Sequence, residues 1–327
     1  MKKAGITILM ILALTMALSL TGCGEKAPYT AAGEFMNAEY EITIYDEDMD
    51  SDTAGQILEE ATAEISRIDN ILNHKIEGSD VYKVNHAAGE RVEVSQEVKD
   101  MMSIGILIGN TTGGAIDMTM GPVNDLWGFD TDEPKVPEDA DIKAALEHVF
   151  YGDMATQGNQ LWMVDPEAAL DFTYMAKSYA AGAAASIITD ADVKSALIDI
   201  DGNKIMVGEA EADTAGGTIN VTDVALSTIS TSDNTFENEG KTYHHILDPK
   251  TGYPAETDVE SATVIANKGY SKYCSILSAT CVLLGSSEAQ SFILDLAERN
   301  PDMGLEAVLL LADGTVYKTD GIEFITE

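Results

Sequence analysis

Polar and glycine-rich segments set in apolar surroundings are where chemistry can concentrate in this chain, and four stand out. Gly113-Gly114-Ala115-Ile116-Asp117-Met118-Thr119-Met120-Gly121-Pro122 runs into Leu126-Trp127-Gly128-Phe129. Glycines at both ends of a short loop allow close backbone approach to a ligand, and Asp117 and Thr119, two apart, can point the same way. A tight turn accounts for the same residues. In Asp171–Gly182, Lys177 sits near the head of a helix rich in small residues, which suits a phosphate, or simply a solvated lysine. Tyr243-His244-His245-Ile246-Leu247-Asp248-Pro249-Lys250-Thr251-Gly252-Tyr253-Pro254 places two histidines beside turn residues. Adjacent histidines hardly indicate zinc, which takes spaced ligands. Ser227-Thr228-Ile229-Ser230-Thr231-Ser232 is rich in hydroxyls, as an ordinary strand edge also is.

Elements that could position these segments follow from periodicity. Tyr40–Tyr45 reads as a strand. From Thr53 to Asn73, Ile57, Ala61, Ile65, Ile68 and Leu72 recur at helical spacing. Further helices are expected at Gln96 to about Asn110, at about 137–148 behind Pro137, and at 171–189. Ala196–Ile200 and Lys204–Val207 flank Asp201-Gly202-Asn203 as a hairpin, and Asp313-Gly314 marks another. Strands are expected at 161–164 and near 217–229, 241–246 and 259–266, with two helices over about 271–298. Strands and helices without strict βαβ alternation predict an α/β chain of α+β layering in one domain. Cys274 and Cys281, seven apart on one helix face, are too distant to bridge and read as buried small hydrophobes.

The ends and the charge bound the location. Lys2 and Lys3 precede an apolar run from Ile6 to about Leu20, then Leu20-Thr21-Gly22-Cys23. A basic head, a short apolar core and a small-residue cleavage site describe a secretory signal. The Leu-Thr-Gly-Cys ending resembles a bacterial lipobox, in which the cysteine becomes the acylated first residue. The expectation is a signal over 1–22, a tether over 23–34 from a lipidated Cys23, and a domain over 35–327. That domain would be anchored at the cell membrane on its extracytoplasmic face. Losing Lys2 and Lys3 takes the formal charge from −37 to −39. Such a surface repels nucleic acid and anionic headgroups.

Taken together, in order and spacing, the four segments resemble the FAD:protein FMN transferase family, the ApbE-like flavin transferase lipoproteins. Members read Gly-Gly-Ala-Phe-Asp-x-Thr-x-Gly-Pro…Trp-Gly-Phe, with Ile116 here in place of Phe. They carry Ala-Lys-Gly-Tyr-Ala-x-Asp, where this chain reads Ala176-Lys177-Ser178-Tyr179-Ala180-Ala181-Gly182, and Ser-Thr-Ser-Gly, where it reads Ser230-Thr231-Ser232-Asp233. Their His-Ile-x-Asp-Pro-x-Thr-Gly is matched at every fixed position by His245–Gly252, and Ser79–Asn85 is similar to Ser-Glu-Leu-Ser-x-x-Asn. The likeness covers nearly all of 34–320.

The resemblance implies a single α/β domain that moves FMN from FAD onto a Thr or Ser hydroxyl of a target protein, releasing AMP. It implies that Met36, Ala115, Ile116, Asp117 and Thr119 contact FAD, with Lys177 and the Leu247 backbone near it. His245 is the candidate for proton transfer or phosphate contact, with Lys177 as a second catalytic candidate. It also implies Mg²⁺ across the phosphates, held by Ala180 and by an Asp and a Thr four apart. Here those two positions are Ser275 and Ala279, or Ile276 and Thr280 if the register slides by one. Gly182 replaces an Asp, and Asn37-Ala38 stands where members have Gly-Thr. An active transferase with a rearranged metal site, through Asp171, Asp199 or the Ala180 carbonyl, therefore competes with a non-catalytic FAD-binding or scaffold lipoprotein. A solute-binding lipoprotein would explain the signal but not the motifs.

Overall fold

The computed structural model describes residues 27–325. The expected leader and Cys23 lie outside the described residues.

The chain opens with a hairpin, β1 (Tyr29–Phe35) and β2 (Ala38–Ile44), joined through Met36 and Asn37 at φ +48° and +61°. Two consecutive left-handed residues give the turn whose twist matches an antiparallel pair. Residues 29–34 of the tether expected over 23–34 are instead paired backbone of the main sheet. Its alternating small and polar residues carry little apolar signal, and only the partner strand reveals them as β.

Helix α1 (Ser51–Leu72) starts where the Asp50 carboxylate accepts from the Asp52 and Thr53 backbone N–H groups. Such a cap contributes about 1 kcal/mol. It buries the predicted stripe of Ile57, Ala61, Ile65, Ile68 and Leu72. α2 (Asp80–Asn85), β3 (Val92–Glu93) and α3 (Gln96–Thr112) follow. α4 (Gly121–Trp127) and α5 (Asp139–Leu146) form a satellite. The small hairpin β4 (Met154–Gln157) and β5 (Gln160–Met163) leads into α6 (Thr173–Asp190).

β6 (Ala196–Ile200) and β7 (Asn203–Val207) form the predicted hairpin, with Asp201 and Gly202 at φ +52° and +77°. β8 (Glu209–Thr214), β9 (Gly217–Thr222) and β10 (Val224–Ser230) come next. The single strand expected near 217–229 is thus two. Left-handed Asp223, at φ +54°, turns the chain between them, and its carboxylate accepts from Gly208 N and Lys268 Nζ. β11 (Thr235–Asn238), β12 (Lys241–His244) and β13 (Val259–Asn267) precede α7 (Ser271–Leu284) and α8 (Ser286–Arg299). β14 (Glu306–Leu311) and β15 (Val316–Lys318) close the chain.

Eight strands make one antiparallel sheet in the order β1-β2-β6-β7-β10-β13-β14-β15. Helices α1, α6 and α7 cover one face over the main core. α6 packs between the other two through Ala176, Ala180, Ala181 and Ala184, all without solvent exposure. Small side chains let the three helix axes approach closely. The opposite face is covered by the β8–β9 hairpin over Met206, Leu226, Ile265 and Val308. A third cluster gathers around Trp127, whose ring meets Phe129, Phe236, Tyr243 and Tyr253. Cys274 and Cys281 are buried free thiols, as their spacing predicts.

Candidate functional site

The segments with chemical character converge at one end of the sheet. Trp127 Nε1 donates to the Gly252 carbonyl at 2.8 Å, joining the first motif to the third across 125 residues. Gly252 takes φ +73°, and a Cβ there would lie 2.4 Å from Ile142 Cγ2, so only glycine serves. The loop is tightened by Gly252 N and Lys250 N, which donate to the Asp248 carbonyl and carboxylate at 2.7 and 2.9 Å. His245 stands at its entrance.

A cleft of about 1610 Å³ opens beside this loop. That exceeds the roughly 300–1,000 Å³ of ordinary small-ligand sites, and a dinucleotide needs the extra room. Its walls come from Met36 and Asn37 of the β1–β2 turn, the first turns of α6, the β6–β7 turn, Asp233, His245 and Ser275. Among the described residues, Lys177 is the one lysine or arginine on the lining, against eight Asp and Glu residues. Its ammonium pairs with the Asp201 carboxylate. An anionic ligand must therefore displace Asp201 or bring its own counter-charge.

His245 Nδ1 lies 3.1 Å from the Asp233 carbonyl. A carbonyl only accepts, so Nδ1 carries the hydrogen and Nε2 is left as the basic nitrogen. Burial pushes the His245 imidazole down to about 4, so it is neutral at physiological pH. Tyr174 of α6 donates to the His245 carbonyl at 3.0 Å and holds the loop against the helix. Beneath the cleft the Asp171 carboxylate accepts from Thr173 N, Thr173 Oγ1 and Asn124 Nδ2 at 2.8, 2.6 and 2.7 Å. Burial alone would raise this carboxyl, but the neighbouring His74 and these donors outweigh it and hold it low.

Of the residues implied by sequence, Met36, Lys177, His245 and Ser275 line the cleft. Ala115, Ile116, Asp117, Thr119, Ala180, Leu247 and Ala279 do not. Ala115 and Ile116 are buried, and Leu247 packs in the aromatic cluster. Asp117 is consumed by its own loop. Oδ1 accepts from Thr119 N and Oγ1, both at 2.7 Å, and Oδ2 accepts from Tyr151 N at 2.8 Å. Burial raises the Asp117 carboxyl against these stabilising bonds. We expect Asp117→Ala to destabilise the fold by about 1–3 kcal/mol, the cost of leaving buried donors unmet. Urea unfolding measures it, and an unchanged midpoint would show that the loop holds without this carboxylate.

Ser275 faces the cleft, whereas Ile276 belongs to the core and Thr280 Oγ1 donates back to the Ile276 carbonyl at 2.6 Å. Of the two registers, only the one with Ser275 and Ala279 puts a residue, Ser275, on the cleft lining. A hydroxyl, two methyl side chains and a helical carbonyl do not suit Mg²⁺, which prefers anionic oxygen beside phosphates. Among the described residues no cluster of three His, Cys, Asp or Glu side chains could hold a metal. Asp171 is occupied as above, and Asp199 accepts from Gly202 N at 2.9 Å and faces Lys204.

Sequence reasoning missed Tyr174, Asp201, Asn203 and Asp233 as cleft residues. Tyr174 and Asp233 fall inside the Asp171–Gly182 and Ser230–Asp233 segments, whereas Asp201 and Asn203 were fully explained as a turn.

The profile of the ApbE family matches residues 36–304. The chain belongs to the ApbE family. Its relatives include a FAD:protein FMN transferase of Klebsiella pneumoniae, 30% identical over 62% of this chain and 68% of that protein. The protein of the same name from Salmonella typhimurium is 26% identical over 94% of this chain and 93% of its own length. Among solved structures, the ApbE protein of Thermotoga maritima superposes with a TM-score of 0.78 at 24% identity. That match covers 90% of this chain and 98% of the other. The α+β single-domain reading is thus the ApbE fold.

Proposed function

We propose that this chain transfers FMN from FAD onto a Thr or Ser hydroxyl of a target protein, with AMP as the leaving group. The observation that carries the reading is the convergence of His245, Lys177 and Met36 on one cleft large enough for a dinucleotide. The motif loops around them are held by bonds such as Trp127 to Gly252.

In the step itself, the acceptor oxygen forms a bond to the FMN-side phosphorus while the bond from phosphorus to the AMP oxygen breaks. AMP leaves with that electron pair. The acceptor proton passes to His245 Nε2, the nitrogen left basic by the contact of Nδ1 with Asp233. Lys177, released from Asp201, offsets charge on the phosphoryl oxygens. The donors at Ala180, Ser275 and Ala279 do not fit Mg²⁺, so charge on the phosphoryl oxygens is met by Lys177.

The test incubates the chain with FAD, with and without Mg²⁺, and with a target protein carrying an exposed Thr or Ser. A target mass gain of FMN less water, with AMP in solution, is the expected result. FAD binding without any covalent product would leave the flavin-binding scaffold as the better reading.

The same proposal places the domain on the outer face of the cell membrane through an acylated Cys23, supported by the lipobox-like Leu20-Thr21-Gly22-Cys23. Cys23→Ala is expected to release the protein from membranes or block its processing. Fractionation and N-terminal mass analysis check this, and an unmodified mature N-terminus elsewhere would overturn it.

A further inference from the structure

One polar group at the cleft floor has no role in the reaction just described. Asn203, on β7, is 4% exposed and lines the cleft, yet its Oδ1 has no partner. The orientation of the amide is set by its other end, because Nδ2 donates to the Ile200 and Asp201 carbonyls at 2.9 and 3.2 Å. A flipped amide would face two oxygens with an oxygen, so Oδ1 is the atom that looks away from the turn.

Directly across the strand pair, Ser227 of β10 is fully buried and its Oγ is also without a partner. Opposed residues on one face of an antiparallel pair hold their Cβ atoms about 5 Å apart. Ser275 of α7, 2% exposed, lines the same cleft. It lies three residues before Ser278, whose Oγ donates to the Ser227 carbonyl at 2.7 Å. Residues three apart share a helix face, so Ser275 stands over the same strand pair.

Two unmatched buried oxygens are costly unless something supplies positive charge or a donor. Asn203 Oδ1 can only accept. The surrounding field is negative, since Asp199 and Asp201 of the same hairpin both line the cleft and its single lysine is already paired. We propose that Asn203 Oδ1, Ser227 Oγ and Ser275 Oγ form a cation site of neutral oxygens, selective for a monovalent ion such as Na⁺ or K⁺. Mg²⁺ sheds its water reluctantly and is bound through carboxylates, none of which is a ligand here. A monovalent ion gives up its water more readily and meets the two unmatched oxygens. It places positive charge at the floor of a cleft otherwise poor in it. The proposal does not depend on the transferase reading.

The experiment compares thermal unfolding of the full-length chain in chloride salts of choline, Na⁺, K⁺ and Mg²⁺ at equal ionic strength. ²³Na line broadening serves as a direct binding signal. The expected result is a saturable stabilisation by Na⁺ or K⁺ over choline, abolished in Asn203→Leu and weakened about tenfold in Ser227→Ala. Asn203→Asp, which supplies a carboxylate, should shift the preference to Mg²⁺ by at least about tenfold. Equal midpoints in all four salts, with no Na⁺ broadening, would mean that only water meets these oxygens and would overturn the proposal. A stronger response of the wild type to Mg²⁺ would also overturn it, as would a monovalent response that survives both Asn203→Leu and Ser227→Ala. If Asn203→Leu does not fold, Ser227→Ala and the wild-type broadening carry the test.

Discussion

Replacing His245 by Gln is expected to lower FMN transfer by about 10²–10⁴-fold, the usual contribution of a positioned proton acceptor. FAD affinity should change little, because Gln keeps a polar side chain of similar reach. Stopped assays of covalent flavin against an equilibrium FAD titration separate the two. Equal losses in both would assign His245 to binding instead. The pH profile offers a second readout. Burial places the folded His245 at about 4, below the ordinary 6.5, so the neutral form prevails from about pH 5 upward. The acid limb of kcat/KM should therefore fall near pH 4 to 5 rather than near 6.5. The same shift makes the unfolded chain take up the proton first. The stability that His245 contributes is complete above pH 6.5 and is lost as pH falls towards 4. His245→Gln should flatten that part of the stability curve.

Introducing Ser275→Asp together with Ala279→Thr is expected to raise both Mg²⁺ affinity and the transfer rate, the rate by about a hundredfold. A metal clamp on phosphoryl oxygens contributes several kcal/mol to stabilising transition-state charge. Ser275 already faces the cleft, and Ala279 lies one helical turn further on the same face of α7. The substitution has a cost that makes the prediction sharper. A carboxylate placed at a site only 2% exposed is unfavourable without a counter-ion. The variant should therefore melt earlier than wild type in chelator and recover with Mg²⁺. Ala279 is fully buried, and its enlargement costs about 1–3 kcal/mol. Ser275→Asp alone keeps the experiment interpretable if the pair fails to fold. Robust Mg²⁺-dependent transfer by wild type, unimproved by the variant, would show that the metal is held by other residues.

The two predictions bear on one arrangement. The cleft carries neutral side chains at Ser275 and Asn203 and acidic ones at Asp199, Asp201 and Asp233. The cleft compensates little with lysine, since Lys177 is bound to Asp201. Affinity for FAD should accordingly depend on what cation accompanies it.

Much of the frame was written in local pattern. The stripe from Ile57 to Leu72 on α1, the Asp-Gly turn between β6 and β7 and the start of α6 follow from side-chain period and backbone preference, which act over a few residues. Family membership was also legible, because its motifs are contiguous runs such as His245–Gly252. β1 escaped, since Tyr29–Phe35 lacks an apolar alternation and becomes a strand only by pairing with β2. β8 escaped for a similar reason, alternating small and acidic residues over the second core.

Which polar atoms meet was set by packing between elements. Asp117 turned inward to Thr119 and Tyr151, 34 residues away in the second case. Lys177 met Asp201, and His245 met Asp233. A one-residue step along α7 separated cleft-facing Ser275 from core-facing Ile276. Spacing along the chain determines the face a residue occupies within its own helix or strand. The partner on the neighbouring element depends on strand register and helix packing, which are set by the whole core at once.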